Sequence, residues 1–218
     1  MAWKATEFLP DRGFWDKVFG MDRRETERLL EAIRQARAVG EPTALATIVR
    51  VKGSAYRREG TRMFVRRDGT YECALSGGCL EPTVAEAAAR VIATGEPVIV
   101  SYDLADDSVW GLGMGCSGAV DIRIERLEDD AITNEWLRIL EQGEAAVLVT
   151  PLAGASGRMI VRGARNVVGG LTDPGLEREA AAGAIARLGR AYPQSGPEQV
   201  RGTEVFYELA LVPPELVI

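Results

Sequence analysis

The sequence predicts an α/β protein: a mixed sheet with flanking helices, built from a degenerate internal duplication of an αβ unit. Two observations support this prediction. Strand-like and helix-like patterns alternate along the chain, and the segment RMFVR at 62–66 returns as RMIVR at 158–162, an offset of 96 residues. Leu80-Glu81 matches Leu176-Glu177 at the same offset without a gap. A repeat of this length is typical of a duplicated structural unit.

The first unit opens with a helix and continues into strands. Asp22 and Glu25 have the spacing of a capping box. The run at 44–51 is rich in β-branched and apolar residues and predicts a strand. The Asp68-Gly69 pair then predicts a hairpin between two further strands.

A second helix and two more strands complete this unit. Pro82 suits the first turn of a helix, and Gly95 is placed to end it. Strand patterns follow at 98–102 and 119–124. After residue 128 the order of helix, strand and turn starts again, as the duplication requires.

These patterns divide the chain into four parts. The first is dense in aromatic residues, and we expect it to dock on the body or on a second copy of the chain. The parts are the aromatic N-terminal arm at 1–21, the first unit at 22–128, the degenerate second unit packed on it at 129–212, and the start of a linker or strand at 213–218.

The composition excludes several classes of protein. The net charge of −6 argues against a nucleic-acid partner. No apolar run approaches the length of a membrane span, and three cysteines do not form a disulfide framework, so we expect free thiols in the cytoplasm. The absence of histidine excludes Ser-His-Asp and Cys-His catalysis and histidine metal ligation.

One candidate site is the turn Ser76-Gly77-Gly78-Cys79. Glycine lets a backbone approach a ligand closely, and the helix start behind it favours negative charge and a lowered thiol pKa. Cys79 is therefore a candidate thiolate or anion-site residue. The alternative is a buried cysteine beside a turn that needs glycine only for its shape.

A second glycine-rich turn surrounds Cys116 and includes Gly113 and Gly115. Such a density of glycine leaves backbone amides available to an anion or a flat ligand, although a purely structural turn fits equally. A strand follows this turn, where a dinucleotide-binding fingerprint requires a helix. The third cysteine, Cys73, lies in a strand pattern and is predicted to belong to the core.

The loop at 52–62 concentrates cations in an acidic chain. Its Arg57, Arg58 and Arg62 are suited to bidentate phosphate contacts, and a solvated charged loop is the alternative. The acidic segment at 103–107 lacks the spacing of a hard-cation site and is predicted to be a solvated turn.

The two copies differ where the candidate chemistry lies. At the offset of 96, the turn at 76–79 falls on Thr172-Asp173-Pro174-Gly175, which has no thiol, and the basic loop has no counterpart. We infer that the first copy holds a site and that the second is scaffold.

Three segments together resemble the signature of the XdhC/CoxI family. They are Gly53-Ser54 continuing to GTRM at 60–63, SGGCLE at 76–81, and GLGMGCSG at 111–118. The resemblance implies an accessory protein of a molybdenum hydroxylase such as xanthine dehydrogenase or carbon monoxide dehydrogenase. It would bind the molybdenum cofactor transiently, protect it while a terminal sulfur is installed, and deliver it to the apo-enzyme.

The resemblance also implies site residues and partners. Cys79 and Cys116 would lie near the metal or its sulfur, and arginines of the basic loop would lie near the phosphate. The expected contacts are Cys79, Cys116, Ser76, Gly77, Gly78, Gly113, Gly115, Ser54, Arg57, Arg58 and Arg62. The expected partners are a molybdenum hydroxylase client and a cysteine desulfurase, and the aromatic arm adds a second copy of the chain as a third. The expected role is that of a cofactor-binding chaperone rather than a catalyst.

Three other functions remain open at this point. A sulfur-transfer enzyme would use one reactive thiol, a nucleotide-dependent oxidoreductase would need a Rossmann domain, and a plain scaffold protein would need neither. Longer family members continue after a segment like 213–218 into such a Rossmann domain, so nucleotide binding is not assigned to these residues. Tyr56 stands where the family often has proline.

Overall fold

The chain folds into two units of the same design, each a five-stranded sheet with helices on both faces. The computed structural model describes residues 21–104, 118–163, 167–191 and 193–210. The aromatic arm up to residue 20, the turn around Cys116 and the segment 213–218 lie outside the described residues.

Each unit contributes two helices and five strands to the described structure. The first unit comprises α1 (Arg23–Ala38), β1 (Ala44–Gly53), β2 (Arg62–Val65), β3 (Tyr71–Glu72), α2 (Glu81–Thr94), β4 (Val98–Asp103) and β5 (Gly118–Arg126). The second comprises α3 (Ala131–Gln142), β6 (Ala146–Pro151), β7 (Gly157–Val161), β8 (Val167–Leu171), α4 (Pro174–Leu188), β9 (Gly196–Val200) and β10 (Thr203–Ala210).

The two sheets have the same strand order. It is β3-β2-β1-β5-β4 in the first sheet and β8-β7-β6-β10-β9 in the second. The predicted α/β class is confirmed, and the matching orders are those of a duplicated unit. Where the sequence predicted a mixed sheet, all the described strand pairs are antiparallel. Helix α2 connects β3 to β4. These two strands run in the same direction but lie at opposite edges of the sheet, so they are not neighbours.

The strand register aligns the two copies residue by residue. Met63 of β2 pairs with Ala46, and Met159 of β7 pairs with Val149. The connection between these paired positions has 16 residues in the first unit and 9 in the second. The first unit therefore carries a longer loop between its first two strands, and this loop contains the basic residues.

Two local details recur at the offset of 96. After β3 the chain turns through Cys73 with φ 65°, and the matching residue after the start of β8 is Gly169 with φ 81°. A left-handed backbone is uncommon for a residue other than glycine. Glu81 accepts a hydrogen bond from the backbone N–H of Leu75 at 3.0 Å, and Glu177 does the same for Leu171 at 2.8 Å.

The helix boundaries follow the local signals. The side chain of Asp22 accepts from the N–H of Glu25 at 2.7 Å, and Glu25 accepts from the N–H of Asp22 at 3.2 Å, so the predicted capping box is confirmed. Helix α2 contains Pro82 in its first turn and ends at Gly95 in the left-handed conformation. Glycine ends helices in this way because it lacks a Cβ.

Apolar clusters lie on both faces of each sheet. Helices α2 and α4 cover one face of their sheets, and α1 and α3 cover the other. The largest cluster includes Ala46, Ile48, Met63, Val84, Ala88, Val91, Ile122 and Ile124 between α2 and the first sheet. None of the described helices is both long and apolar enough for a transmembrane span.

Ion pairs join the two units across their shared interface. Arg62 of β2 pairs with Glu208 of β10, and the side chains are 5% and 8% exposed. Burial raises the pKa of the Glu208 carboxyl, and the charge of Arg62 opposes this rise. The equivalent pair has its arginine in the second unit and its acid in the first. It is looser, with Arg158 and Glu125 3.9 Å apart. The interface thus follows the approximate twofold symmetry of the duplication, with its tighter pair next to the basic loop.

A Glu208→Gln variant tests this interface. The change leaves the Arg62 guanidinium buried without a carboxylate, and breaking a buried pair in this way costs about 3–5 kcal/mol. We expect a loss of that size in the free energy of unfolding, measured by urea denaturation. Glu179→Gln breaks the exposed pair with Arg201 and should cost at most about 1 kcal/mol. Equal effects of the two variants would contradict the structural importance of the buried pair.

Candidate functional site

The fold brings the basic loop and the Ser76 to Cys79 turn to one end of the first sheet, where the segment that contains Cys116 also leaves the described structure and re-enters it. Strands β1, β3 and β4 run in the same direction, because each is separated from the next by one antiparallel strand. The connections that follow these strands therefore leave at the same end. They hold the basic loop, the Ser76 to Cys79 turn and the segment that contains Cys116.

Direct contacts at this end join two of the motifs. Gly53 at the end of β1 pairs with Gly118 at the start of β5, and the N–H of Leu104 donates to the carbonyl of Gly118 at 2.8 Å. A Cβ on Gly118 would lie 2.3 Å from the carbonyl oxygen of Ser54, so only glycine fits there. Ser54 thus lies beside Gly118, the first described residue after the segment 105–117. Gly113, Gly115 and Cys116 belong to the segment outside it.

Ser76 organises the glycine turn. Its Oγ accepts from the backbone N–H groups of Gly78, Cys79 and Leu80, each at 3.2 Å. The same hydroxyl donates to Glu81 at 2.8 Å. The amides that the sequence suggested for an anion therefore converge on a serine hydroxyl, and these contacts are long for hydrogen bonds.

The two glycines of this turn have different reasons to be glycine. Gly78 has φ 113°, a conformation that other residues rarely adopt. Gly77 has no positive φ, and a Cβ built on it meets nothing within 4 Å. Nothing in the described structure requires glycine at position 77. Its missing side chain leaves the surface beside the half-buried Cys79 open.

The buried carboxylate of Glu81 holds the turn at 76–79 from the interior of the protein. It is fully buried and accepts from the N–H groups of Leu75 at 3.0 Å and Ser76 at 2.8 Å. Because Glu177 makes the matching contact in the second unit, this carboxylate serves the fold of both copies. It fixes the turn rather than facing a ligand.

The basic loop is folded by its own polar contacts. Arg57 forms a two-point ion pair with Glu25 of the α1 capping box. Glu59 accepts from the N–H of Val51 at 2.9 Å, and the Thr61 hydroxyl donates to the carbonyl of Arg58 at 2.8 Å. These contacts leave the side chain of Arg58 exposed on the loop surface.

The structure separates Arg62 from the other expected phosphate contacts. Its guanidinium is buried against Glu208 of the second unit and lies 5.8 Å from the centre of the Trp136 ring. Sequence reasoning placed Arg62 with Arg57 and Arg58 because the three are close in the chain. The first residue of β2 points its side chain into the interface between the units, away from the loop surface.

Sequence reasoning also missed two residues of this region. Tyr56 is 70% exposed, with the Arg57 guanidinium 5.6 Å from its ring centre, so the loop presents an aromatic face. The second residue is Gly118, where a Cβ would collide with the backbone of Lys52 and Ser54. The signal for Tyr56 was an aromatic residue inside a loop of glycines and arginines, but the sequence does not show on which side such a ring lies.

The prediction for Cys73 is confirmed. This residue is 8% exposed and packs with α1, and its Sγ lies 3.4 Å from the carbonyl oxygen of Glu25. Burial raises the pKa of the Cys73 thiol to about 11. A thiol in this state is a poor nucleophile at neutral pH.

A cleft of about 860 Å³ lies at the opposite end of the first sheet. It is lined by the start of β4, the end of β5 and the short β6–β7 loop of the second unit. Its arginines are paired with acids, as in Arg158 with Asp130 at 2.7 Å and Arg123 with Glu125. Among the described residues, no cluster of three or more Cys, Asp or Glu side chains has the arrangement of a metal site.

The fold and this loop cluster define a duplicated α/β protein whose first copy alone carries a basic loop and a Gly-Gly-Cys turn. Residues 36–103 match the model of the XdhC and CoxI family. This match runs from the end of α1 to the end of β4 and includes both described motifs. It confirms the resemblance that the motifs indicated.

Two relatives are each similar to slightly less than half of the chain. One is a protein of Bacillus subtilis (strain 168) named as a probable xanthine dehydrogenase component, 39% identical over 95 residues, which cover 41% of this chain and 28% of that protein. The other is the molybdenum cofactor insertion chaperone PaoD of Escherichia coli (strain K12), 31% identical over 104 residues, which cover 47% of this chain and 32% of that protein. Each alignment spans about a third of the relative.

The fold is similar to that of a crystal structure described as a xanthine dehydrogenase from Bacillus halodurans. The TM-score is 0.59 at 26% sequence identity, over 84% of this chain and 52% of that one. The similarity extends beyond the family match into the second unit, since 84% of the chain exceeds the length of either unit alone.

The thiol of Cys73 provides a direct test of the site geometry. A pKa of about 11 in place of 9.0 lowers its thiolate fraction near pH 7.5 roughly 100-fold. We expect iodoacetamide to modify Cys73 at least that much more slowly in the folded protein than in urea, as measured by peptide mass spectrometry. Equal labelling rates in the two states would show that Cys73 is accessible and would contradict its place in the core.

Proposed function

We propose that this chain binds the molybdenum cofactor as cargo and assists its insertion into a molybdenum hydroxylase. The observation that carries the proposal is the convergence, at one end of the first sheet, of the basic loop with Arg58 and the open Gly-Gly turn beside Cys79. The family match covers both loops. The name of the PaoD relative, a molybdenum cofactor insertion chaperone, supports the same role.

The residues at this end fit the chemistry of the cofactor. Molybdenum cofactor is an anionic pterin with a phosphate and a dithiolene-bound metal, and when bound it supplies the metal centre of the client enzyme. A cysteine sulfur suits a soft metal–sulfur group, and Arg58 suits a phosphate. The absent side chain at Gly77 gives a flat ring access to the backbone, and Tyr56 offers an aromatic surface for stacking.

The site residues fall into three groups under this proposal. Cys79, with Ser76, Gly77 and Gly78, forms one wall, and Cys116 with Gly113 and Gly115 is proposed for the wall that follows β4. Ser54 and Arg58 form the third. Arg57 joins them only if its pair with Glu25 opens, and Arg62 is left out because it is buried at the interface.

The finer parts of the role are proposed on the same basis. Binding is transient, the cofactor is protected while its terminal sulfur is installed, and a cysteine desulfurase and a xanthine dehydrogenase-type client are the partners, in the cytoplasm. The chain acts as a chaperone rather than as a catalyst. A sulfur-transfer enzyme, the other candidate, would carry a persulfide on Cys79, and mass spectrometry of the purified protein distinguishes the two.

The open position at Gly77 gives the sharpest test. Gly77→Ala adds one methyl group where none of the described residues beyond its chain neighbours has an atom within 4 Å, so stability should change little. We expect the molybdenum and pterin retained by protein purified from a cofactor-producing host to fall about tenfold or more. Metal analysis and pterin fluorescence measure both. Cys79→Ser should lower retention of the metal in the same assay.

Gly189→Ala is the matched control for this test. Gly189 ends α4 in the second unit, has an ordinary backbone conformation and leaves normal space for a Cβ. It should retain the cofactor like the unmodified chain. If Gly77→Ala and Cys79→Ser both fold and retain the cofactor normally, this end of the sheet does not bind it.

The charge of Arg58 allows a separate test of the phosphate contact. Losing one charge-assisted hydrogen bond costs about 1.5–3 kcal/mol, so Arg58→Gln should weaken cofactor binding about tenfold or more. Arg67→Gln removes the same charge from the exposed turn at the opposite end of the first sheet and should have little effect. Affinities measured by titration with isolated cofactor compare the two variants. Equal weakening by both would indicate a general charge effect instead of a contact.

A further inference from the structure

The four edges of the two sheets are protected to different degrees. An unpaired edge strand exposes backbone groups to other chains, and proteins protect such edges with short strands, charges, proline or irregular geometry. Strand β3 has two residues, β8 contains Gly169 and Gly170, and β9 contains Pro197 and Glu198. By contrast, β4 has six residues and contains neither proline nor glycine, and its one charge is Asp103 at the end of the strand.

Strand β4 is long, apolar and exposed. It has six residues, Val98 to Asp103, and only the last is charged. Val98 is 39% exposed and Ile99 42%. Its counterpart in the duplicate is β9, where proline and charged residues occupy the same edge. The two copies thus have the same strand in the same place, protected in the second unit and open in the first.

We propose that β4 pairs antiparallel with β4 of a second copy of this chain, so that the two first sheets join into one sheet of ten strands. With the twofold axis at Val100, Val98 of one copy lies opposite Tyr102 of the other, and Val100 lies opposite Val100. All three side chains lie on the α2 face of the sheet, where Val100 and Tyr102 already pack against the core. A Val98–Tyr102 pair therefore lies on each side of the central Val100 pair.

The complementarity of this strand with its own antiparallel copy is the reason to propose a second copy rather than another protein. An open edge supplies main-chain hydrogen bonds to any strand, but pairs of a β-branched residue with an aromatic residue add cross-strand stability. The antiparallel self-pairing creates two Val98–Tyr102 pairs around the axis and places Asp103 opposite Pro97, away from any acid of the partner strand. Twofold dimers with self-complementary surfaces are also the commonest oligomers.

The pairing also predicts the strength of the dimer. A single pair of short strands buries less surface than a standard stable interface. We therefore expect a reversible dimer with a dissociation constant of about 1–100 μM. The inference does not depend on the proposed cofactor role, because β4 contributes to neither described loop.

Sedimentation velocity over a range of concentrations tests the proposal on the full chain. Ile99→Lys places a charge on each side of the axis and should raise the dissociation constant at least tenfold. The control is Val167→Lys on the β8 edge, since Val167 is 43% exposed and equally apolar, and it should leave the dimer unchanged. Val98→Lys is a second variant on β4, which keeps the test decisive if Ile99→Lys folds poorly.

Hydrogen exchange identifies which strand forms the contact between the two copies. The amides of 98–103 should exchange more slowly as the protein concentration rises, whereas those of β9 should not change. A monomer at all concentrations would overturn the proposal. So would a dimer that survives both β4 variants, or concentration-dependent protection at another edge. If the chain stays monomeric and β4 is protected only by a client protein, the edge serves that protein and self-pairing is wrong.

Discussion

The alternating direction of the five strands in the first sheet is the constraint on which the candidate site depends. Because β1, β3 and β4 point the same way, three connections that are far apart in sequence leave the sheet together. The first of these carries Arg58, the second carries Cys79, and the third contains Cys116, which lies outside the described residues. Reversing the direction of any one of these three strands would have sent its connection to the other end of the sheet.

The duplication shows which features serve the fold and which do not. Glu81 and Glu177 make the same backbone contact, and Cys73 and Gly169 make the same left-handed turn, so these positions belong to the shared framework. The longer β1–β2 loop is found only in the first copy. In the second copy the side chain of Asp173 caps the helix that follows the turn, whereas α2 has no side-chain cap. The differences are concentrated at the end of the sheet where the motifs meet.

The second unit has a physical task even without a site of its own. Arg50 pairs with both Asp121 of its own sheet and Glu204 of β10, and Arg62 pairs with Glu208. Gly60 in the basic loop packs so closely on Ser195 that a Cβ would lie 2.9 Å from its hydroxyl. The second unit therefore supports the base of the loop that presents Arg58.

The sequence by itself determined the local structure. The capping box at Asp22, the end of α2 at Gly95, the Asp68-Gly69 turn and the offset of 96 all depend on residues that are close in the chain or on repetition, and the structure contains each of them. Only the tertiary structure decided the strand partners and the fate of Arg62. Periodicity tells which face a side chain occupies, but it does not tell what packs against that face. The partner of Arg62 lies 146 positions away, on a strand of the other copy, and a long-range ion pair of this kind has no local signal.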